Sequence, residues 1–372
     1  VGAFSGKILL ILKKVKGEGK RNMKRLKGII FAATSAVVGL ALALPALPAS
    51  AQSSAALSIV PKKNYTVEQG KTIRDRLTIR NLDTQKPLNL TLKIVDFTYR
   101  DDSGTPQLLL DEDEPQKTWS LKPYMTIPKT VNVPANQSKT IDLSLAVPKG
   151  KGAGSYYSAI VYSSGSPDGG NVGLNASGVS LVFANIPGQV KEDLKVEKFG
   201  AYMEKGQGQK PGYAFLTTDA PKQIAYTLKN DGNVTEAPVG SITLKSMWGQ
   251  EYRIDDVNPN QSLALIGQSR TFVSCVKLKA QEVDFNGEKT NARTCDSPGL
   301  WPGYYGASLN LFYGQNGNST KELNSTSGFW YLPLWFVILV VVLLIAIGVG
   351  IWLLVRKFKN RNANSKSKRS RR

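Results

Sequence analysis

The chain has 372 residues, with 48 Lys and Arg against 28 Asp and Glu, two cysteines and no histidine. Without histidine there is no Ser-His-Asp or Cys-His catalysis and no imidazole metal ligand or pH switch. Two cysteines fall short of the roughly four ligands that a structural zinc or iron–sulfur site wants.

The net charge of +20 raises the question of nucleic acid, and its placement answers it. Residues 1–51 carry nine Lys and Arg with one acid, Glu18, and Arg356–Arg372 carry nine with none. That leaves 30 basic and 27 acidic groups in residues 52–355, so the middle of the chain is nearly neutral. A nucleic-acid-binding domain shows its basic stripe on the folded part, and nucleic acid is set aside as a partner.

In chain order, residues 1–22 precede the first methionine, Met23, and are read as a mis-annotated N-terminal extension. Residues 23–51 have the order of a secretory signal peptide: the charged Lys24-Arg25-Leu26-Lys27, an apolar stretch from Gly28 to Leu44, and Ala49-Ser50-Ala51. Cleavage is expected between Ala51 and Gln52. An uncleaved signal anchor is the alternative, opposed by Pro45 and Pro48, which break the helix before it reaches a spanning length.

Residues 52–328 show period-two alternation where helical periodicity is hard to find. Leu88, Leu90, Leu92 and Ile94 share one face, after which the phase flips to Val95, Phe97 and Tyr99, as a β-bulge or a strand changing sheets would do. Further alternating runs are Ile141–Val147, Val179–Phe183, Ile224–Leu228, Ile242–Leu244 and Ala307–Tyr313, separated by Gly, Asn, Asp and Pro clusters. The expectation is all-β, two tandem Ig-like antiparallel sandwiches over 52–187 and 188–328. Asn-rich turns in both halves, Arg80-Asn81-Leu82-Asp83 and Lys229-Asn230-Asp231-Gly232-Asn233, hint at duplication.

Cys275 and Cys295 would lie beyond the membrane, where a disulfide can form. Two free buried thiols are the bland alternative. Residues 329–355 are assigned to a transmembrane helix, built on the uncharged run Pro333–Val355, with Ser327-Gly328 as its hinge. Trp330, Tyr331 and Trp335 mark one interface and Trp352 the other, and the basic tail 356–372 stays cytoplasmic by the positive-inside rule. The topology is type I: a single-pass cell-membrane protein, ectodomain extracellular, with the lipid bilayer as partner through this helix.

Several segments resemble the WxL-interacting proteins of Gram-positive and related bacteria. Ser58-Ile59-Val60-Pro61, Ile79-Arg80-Asn81, Val95-Asp96-Phe97, Val133–Ser138 and Gly154–Ile160 are similar to that family's first domain. Leu228–Asn233, Pro238–Ile242, Trp248-Gly249, Leu265–Phe272, Gly303–Ala307 and Phe329–Pro333 are similar to its following Ig-like domain. The resemblance implies a first domain associated with peptidoglycan and a second that binds partner or host proteins. No binding residue of the family maps onto this chain.

Candidates for chemistry are few. Asp111-Glu112-Asp113-Glu114 lacks the spacing of a cation loop, and Asp101-Asp102-Ser103-Gly104 reads as a hairpin turn. No catalytic residue, metal site or cofactor is assigned. Exposed aromatics are the better binding hypothesis, because Trp and Tyr dominate protein-binding hot spots and stack on sugars. The candidates are Trp119, Tyr156 and Tyr157 in the first half and Trp248 and Trp301 in the second, the competing reading being that a sandwich buries most of its aromatics. Two functions follow: a membrane-tethered, non-catalytic surface protein that binds cell-wall glycan or a surface protein, or a structural, accessory subunit of an envelope, secretion or pilus complex.

Overall fold

The structure, a computed structural model, describes residues 57–110, 118–164, 176–204, 209–285, 288–314 and 321–369. The extension 1–22, the signal peptide and its cleavage point at Ala51, and the acidic run 111–114 lie outside these residues.

The first module contains β1 (Leu57–Ser58), β2 (Lys62–Thr66), β3 (Thr72–Asn81), β4 (Leu88–Tyr99), β5 (Pro106–Leu109), β6 (Met125–Thr126), β7 (Thr130–Val133), β8 (Ser138–Ala146), β9 (Gly154–Ser164) and β10 (Ala176–Ile186). One sheet has the order β1-β3-β8-β6; the facing sheet has the order β2-β10-β9-β4-β5, with β7 also on β4. The second module contains β11 (Leu194–Met203), β12 (Gly212–Tyr213), β13 (Leu216–Thr217), β14 (Gln223–Asn230), β15 (Val239–Ser246), β16 (Glu251–Ile254), β17 (Ser269–Cys275), β18 (Leu278–Phe285), β19 (Glu288–Cys295), β20 (Gly303–Tyr313) and β21 (Lys321–Tyr331). Its sheets are β12-β11-β14-β17 and β13-β21-β20-β15-β16, and β18 pairs with β19 alone.

Both modules are Ig-like sandwiches. In each, the opening strand contributes to one sheet and its continuation crosses to the other, where it lies parallel to the final strand: β2 on β10 and β13 on β21. In the first module the crossover falls at Ile59-Val60-Pro61, where proline denies the ladder a donor. The other strand pairings are antiparallel, the arrangement that lets each sheet turn one face to a core and the other to water.

The cores follow the alternation. Leu77 and Ile79 of β3, Ile141, Leu143 and Leu145 of β8, and Leu90 and Leu92 of β4 close the first; Ile224, Tyr226 and Leu228 of β14 meet Ile242, Leu244, Leu309 and Leu311 in the second. The phase flip in β4 is not a bulge. Its register against β9 runs unbroken from Leu90 on Ser164 to Val95 on Ala159. The strand changes its apolar face because its second half is covered on the outside: Val95 and Phe97 join a third core, shared with the second module.

The hinge expected at Ser327-Gly328 is a correction. Those residues pair with Ala307 and Gly306 inside β21, which continues to Tyr331, so residues 329–331 are strand rather than helix. Only Leu332 and Pro333 separate β21 from α1 (Leu334–Arg369). The Pro333 carbonyl accepts from Phe336 N and Val337 N and so opens the helix. Its apolar part, Leu334–Phe358, spans 25 residues with none of its most apolar window buried, about 37 Å at the usual rise. It is long and apolar enough to cross a membrane. Beyond Val355 the expected tail continues as helix to Arg369, with no Gly or Pro after Gly350 to stop it.

Candidate interaction surfaces

The first-half aromatics are structural. Tyr156 is buried, and its hydroxyl donates to the Gly152 carbonyl at 2.9 Å. Tyr305 does the same to Trp301, four residues upstream, at 2.9 Å. Each follows the glycine that opens its strand, Gly154 or Gly303, and each is a tyrosine corner. Burial pushes the Tyr305 hydroxyl up to about 12. Tyr157 is fully buried on the other face of β9, its ring 5.2 Å from Phe97 and 5.8 Å from Phe183. Trp119 is half-buried against Tyr156, and the Lys151 ammonium lies 4.4 Å from the Tyr156 ring centre.

Tyr157, Phe97 and Phe183 belong to the third core, where the outer face of β4, β9 and β10 meets Leu265 and Ile266 of the second module. This is why β9, from Gly154 to Ser163, is buried on both faces. Polar contacts surround that seam. Ser155 N donates to Asn233 O at 3.0 Å, and a Cβ on Gly154 would stand 2.7 Å from that oxygen, so the approach requires glycine. The Ser155 hydroxyl accepts from Thr235 N and donates to Asn185. Arg270 lies over the Tyr99 ring and donates to both the Tyr99 hydroxyl and Leu263 O.

The turn at Asp101–Gly104 forms as expected, with Ser103 N and Gly104 N donating back to Asp101, and it also reaches across the seam. Asp102 O accepts from Thr271 N, and Asp101 binds Lys210 at 2.8 Å. The Lys210 hydrogen bond, with help from Ser103, holds the Asp101 carboxyl at about 2. Lys62 is pulled down by burial and then by the Arg270 charge, and it donates to Gln261 O. Apart from the phase flip in β4, nothing in the residue pattern marks this seam. The apolar Leu263–Ile266 stretch, flanked by Asn, Gln and Gly, reads as a loop until its partner sheet is known.

Cys275 and Cys295 form the expected disulfide, 20 residues apart. It closes the base of the β18–β19 ribbon, which stands apart from both sheets. Beside it, Tyr202, Asp219, Lys222, Gln223, Arg293 and Ser297 line an open cleft of about 820 Å³ with mixed charge. Among the described residues no three of Cys, Asp and Glu gather where a metal ion could sit.

The second-half candidates lie in the open. Trp248 and Trp301 are 60% and 62% exposed. The Trp248 indole N–H donates to Pro302 O at 2.7 Å, which brings the β15–β16 turn beside the segment carrying Trp301. Met247, Phe215 and Leu216 are exposed at the same end of the sheet, and Tyr304 packs on Trp330. Phe215 and Leu216 escape a sequence reading because they sit at the start of a two-residue edge strand, too short to show alternation.

Comparison with protein-family profiles and with curated proteins finds no match to this sequence. Among solved structures the chain is similar to the class 5 fimbriae chaperone CfaA, with 13% identity over 75% of this chain and 100% of that one, at a TM-score of 0.31. It is similar also to the E. coli chaperone DraB, with 12% identity over 74% and 96% at 0.29. A third similarity is to a Salmonella enterica SafA pilin complex with the SafB chaperone, with 9% identity over 74% and 95% at 0.27.

Proposed function

We propose that the chain is a non-catalytic, single-pass membrane protein whose two fused sandwiches present a binding surface to other proteins outside the bacterial membrane. The observation that carries this reading is the join: a two-residue connection ties the last strand of the second module to an exposed apolar helix followed by basic residues. The seam makes the ectodomain one stiff body, so any surface it bears is held at a set distance from the bilayer. The disulfide-closed ribbon favours protein docking, because a two-stranded sheet has unpaired strand edges that an extended segment can join. That arrangement also suits an accessory subunit of an envelope complex. The resemblance to the WxL-interacting proteins adds peptidoglycan as a second ligand.

Crosslinking on intact cells, followed by purification of the full chain, tests the reading. The expected result is a surface protein captured through the ectodomain, with external protease digesting residues before 332 and sparing the tail. Recovery of the intact chain from the cytosol would overturn it. Pelleting of the full chain with purified sacculi in mild detergent tests the glycan, and absence from the pellet removes it as ligand.

A further inference from the structure

Exposed large hydrophobic side chains are unevenly spread over the two modules. Outside the helix, every described one that is more than half exposed belongs to the second module: Phe215, Leu216, Met247, Trp248, Leu278 and Trp301. The strand registers put all six at one end of that sandwich. Leu216 pairs with Trp330, one residue from the end of β21. Met247 N donates to Tyr304 O, at the start of β20, and Trp301 lies two residues before that strand. Leu278 follows Cys275, which pairs with Gln223, the first residue of β14. The apolar part of the seam with the first module lies toward the opposite end, near Asn230 and Tyr313, about 30 Å away at 3.3 Å per strand residue, while the Asp101–Gly104 turn reaches farther along the other sheet, to Thr271 and Lys210.

The end that carries these side chains is the end from which the chain leaves for the helix. Gly303 pairs with Tyr331, and Leu332 N donates to Thr217 O, so β13, β20 and β21 all finish beside Pro333. Two residues bridge about 10 Å at most. If Leu334 begins the membrane span, the sandwich end cannot stand clear of the headgroups. Trp is a side chain enriched in that layer, where its apolar ring and its polar N–H are both solvated, and the apolar Met247, Phe215 and Leu216 beside it add surface that leaves water there.

We infer that this end of the second module is seated in the outer membrane–water interface, with Trp248, Trp301, Met247, Phe215 and Leu216 embedded among lipid headgroups. The inference rests on the proposed spanning role of α1 and goes beyond it: the helix anchors the chain, and the sandwich end, with contacts of its own, limits how far the ectodomain can tilt. Of the six tryptophans of the chain, Trp248 and Trp301 report on the seat, Trp335 and Trp352 on the span, and Trp119, near the seam, on neither, while Trp330, paired with Leu216 in the sheet, is present in every variant and cancels in the differences.

The test is tryptophan emission of the full chain in phosphatidylcholine vesicles with and without a headgroup-labelled nitroxide lipid. Wild type is compared with a W248F/W301F variant and a W335F/W352F variant. Phenylalanine keeps the seat apolar, and both seat positions are exposed enough for the fold to survive. The component lost in W248F/W301F should be quenched roughly twofold by the shallow nitroxide, as expected of belt aromatics, while the Trp119 signal is unchanged. Quenching confined to the W335F/W352F-sensitive component would overturn the seat and leave the anchor standing. No quenching of either component would overturn both. A Trp248 and Trp301 signal that is unquenched in vesicles but shielded from aqueous iodide by a copurifying protein would assign the patch to protein docking and refute the lipid assignment.

Discussion

The carboxamides of Asn81 and Asn230 are counterparts, one in each module. Each is fully buried at the last position of its strand, β3 or β14. Asn81 Nδ2 donates to Lys86 O at 2.8 Å and to Val133 O and Pro134 O at 3.2 Å, while Oδ1 accepts from Asp83 N two residues on. Asn230 Nδ2 donates to Val234 O at 2.7 Å and Ala264 O at 2.9 Å, and Oδ1 accepts from Gly232 N. The side chain closes an Asx turn on one side and reaches carbonyls of other segments on the other, which fixes where the chain leaves the sheet.

Alanine at Asn230 therefore takes the side-chain partner from the buried Val234 and Ala264 carbonyls and from Gly232 N, leaving Ala264 O only its bond from Glu236 N. Destabilisation of about 2–3 kcal/mol is expected, since an orphaned buried polar group costs about 1–3 kcal/mol. Asn230→Asp should be worse at neutral pH than at pH 4, because an ionised carboxylate would face carbonyl oxygens. Urea denaturation of the detergent-solubilised chain, read by circular dichroism, measures both; equal stability of N230A and wild type would refute the role.

Tyr156 and Tyr305 allow a test that separates a structural tyrosine from a ligand-binding one. Removing the hydroxyl leaves the ring in place and deletes one hydrogen bond to the backbone at Tyr156 and two at Tyr305, so Tyr156→Phe should cost about 1 kcal/mol and Tyr305→Phe about 1–2 kcal/mol. Binding of any surface partner should be unaffected by Tyr156→Phe. A variant with wild-type stability and lost partner capture would reverse this assignment.

How much of this was legible in the residues depends on which contacts are local. Alternation in β8, β14, β15 and β20 placed Leu143, Tyr226, Leu244 and Leu309 correctly, because period two maps directly onto the two faces of a strand. The Asn81 and Asn230 turns were visible as turns, and the disulfide followed from two cysteines with only each other to pair with. The seam was not legible. Val95 and Phe97 announce that a second face is covered without saying by what, and Leu265 and Ile266 are some 170 residues away. The tyrosine corners were hidden among the chain's 14 tyrosines, because the deciding hydrogen bond runs to a backbone carbonyl and leaves no mark on composition. The seat was hidden for the opposite reason: Phe215, Met247 and Trp301 lie far apart in sequence, and only strand register brings them to one end.

The Cys275–Cys295 bridge is expected to hold the β18–β19 ribbon together as much as to stabilise the module. Closing a loop of 20 residues is worth about 3 kcal/mol in the chain-entropy model, and the ribbon has no other sheet to lean on. In a Cys275→Ser/Cys295→Ser variant, limited trypsin should cut first within 277–293, which offers Lys277, Lys279, Lys289 and Arg293. The two sandwiches should remain intact. Cleavage elsewhere at equal rate would refute a local role.

Arg270 couples the modules. Its guanidinium lies 4.9 Å from the centre of the Tyr99 ring and 5.4 Å from that of Phe272, and its donors bridge Tyr99 of one module to Leu263 of the other. Arg270→Ala removes the stack and the guanidinium's share of the bridge, and leaves the direct hydrogen bond from the Tyr99 hydroxyl to Leu263 O. Calorimetry of the full chain should then resolve two unfolding transitions where wild type shows one, with the earlier shifted down. A single transition at the wild-type temperature would show that the apolar seam and the remaining polar contacts couple the modules without Arg270.

Glu236 should give the second module a distinctive pH dependence. Its side chain is buried, Oε2 accepts from Gly314 N at 3.2 Å, and Oε1 has no partner. Burial, and then the Glu192 charge, push its carboxyl up to about 7, against the opposing pull of the Gly314 N–H and Lys321. The unfolded chain releases that proton near pH 4.3, so between these values the folded state binds more protons than the unfolded one. The associated stability is complete below about pH 4, declines as pH rises, and is lost once pH passes through 7. The total is about 4 kcal/mol at one pKa unit per 1.36 kcal/mol. Glu236→Gln keeps the shape and cannot ionise, so its urea midpoint should change less than that of wild type between pH 5 and pH 8, and should lie above it at pH 8. Parallel pH profiles for the two proteins would show that Glu236 stays charged in the folded state.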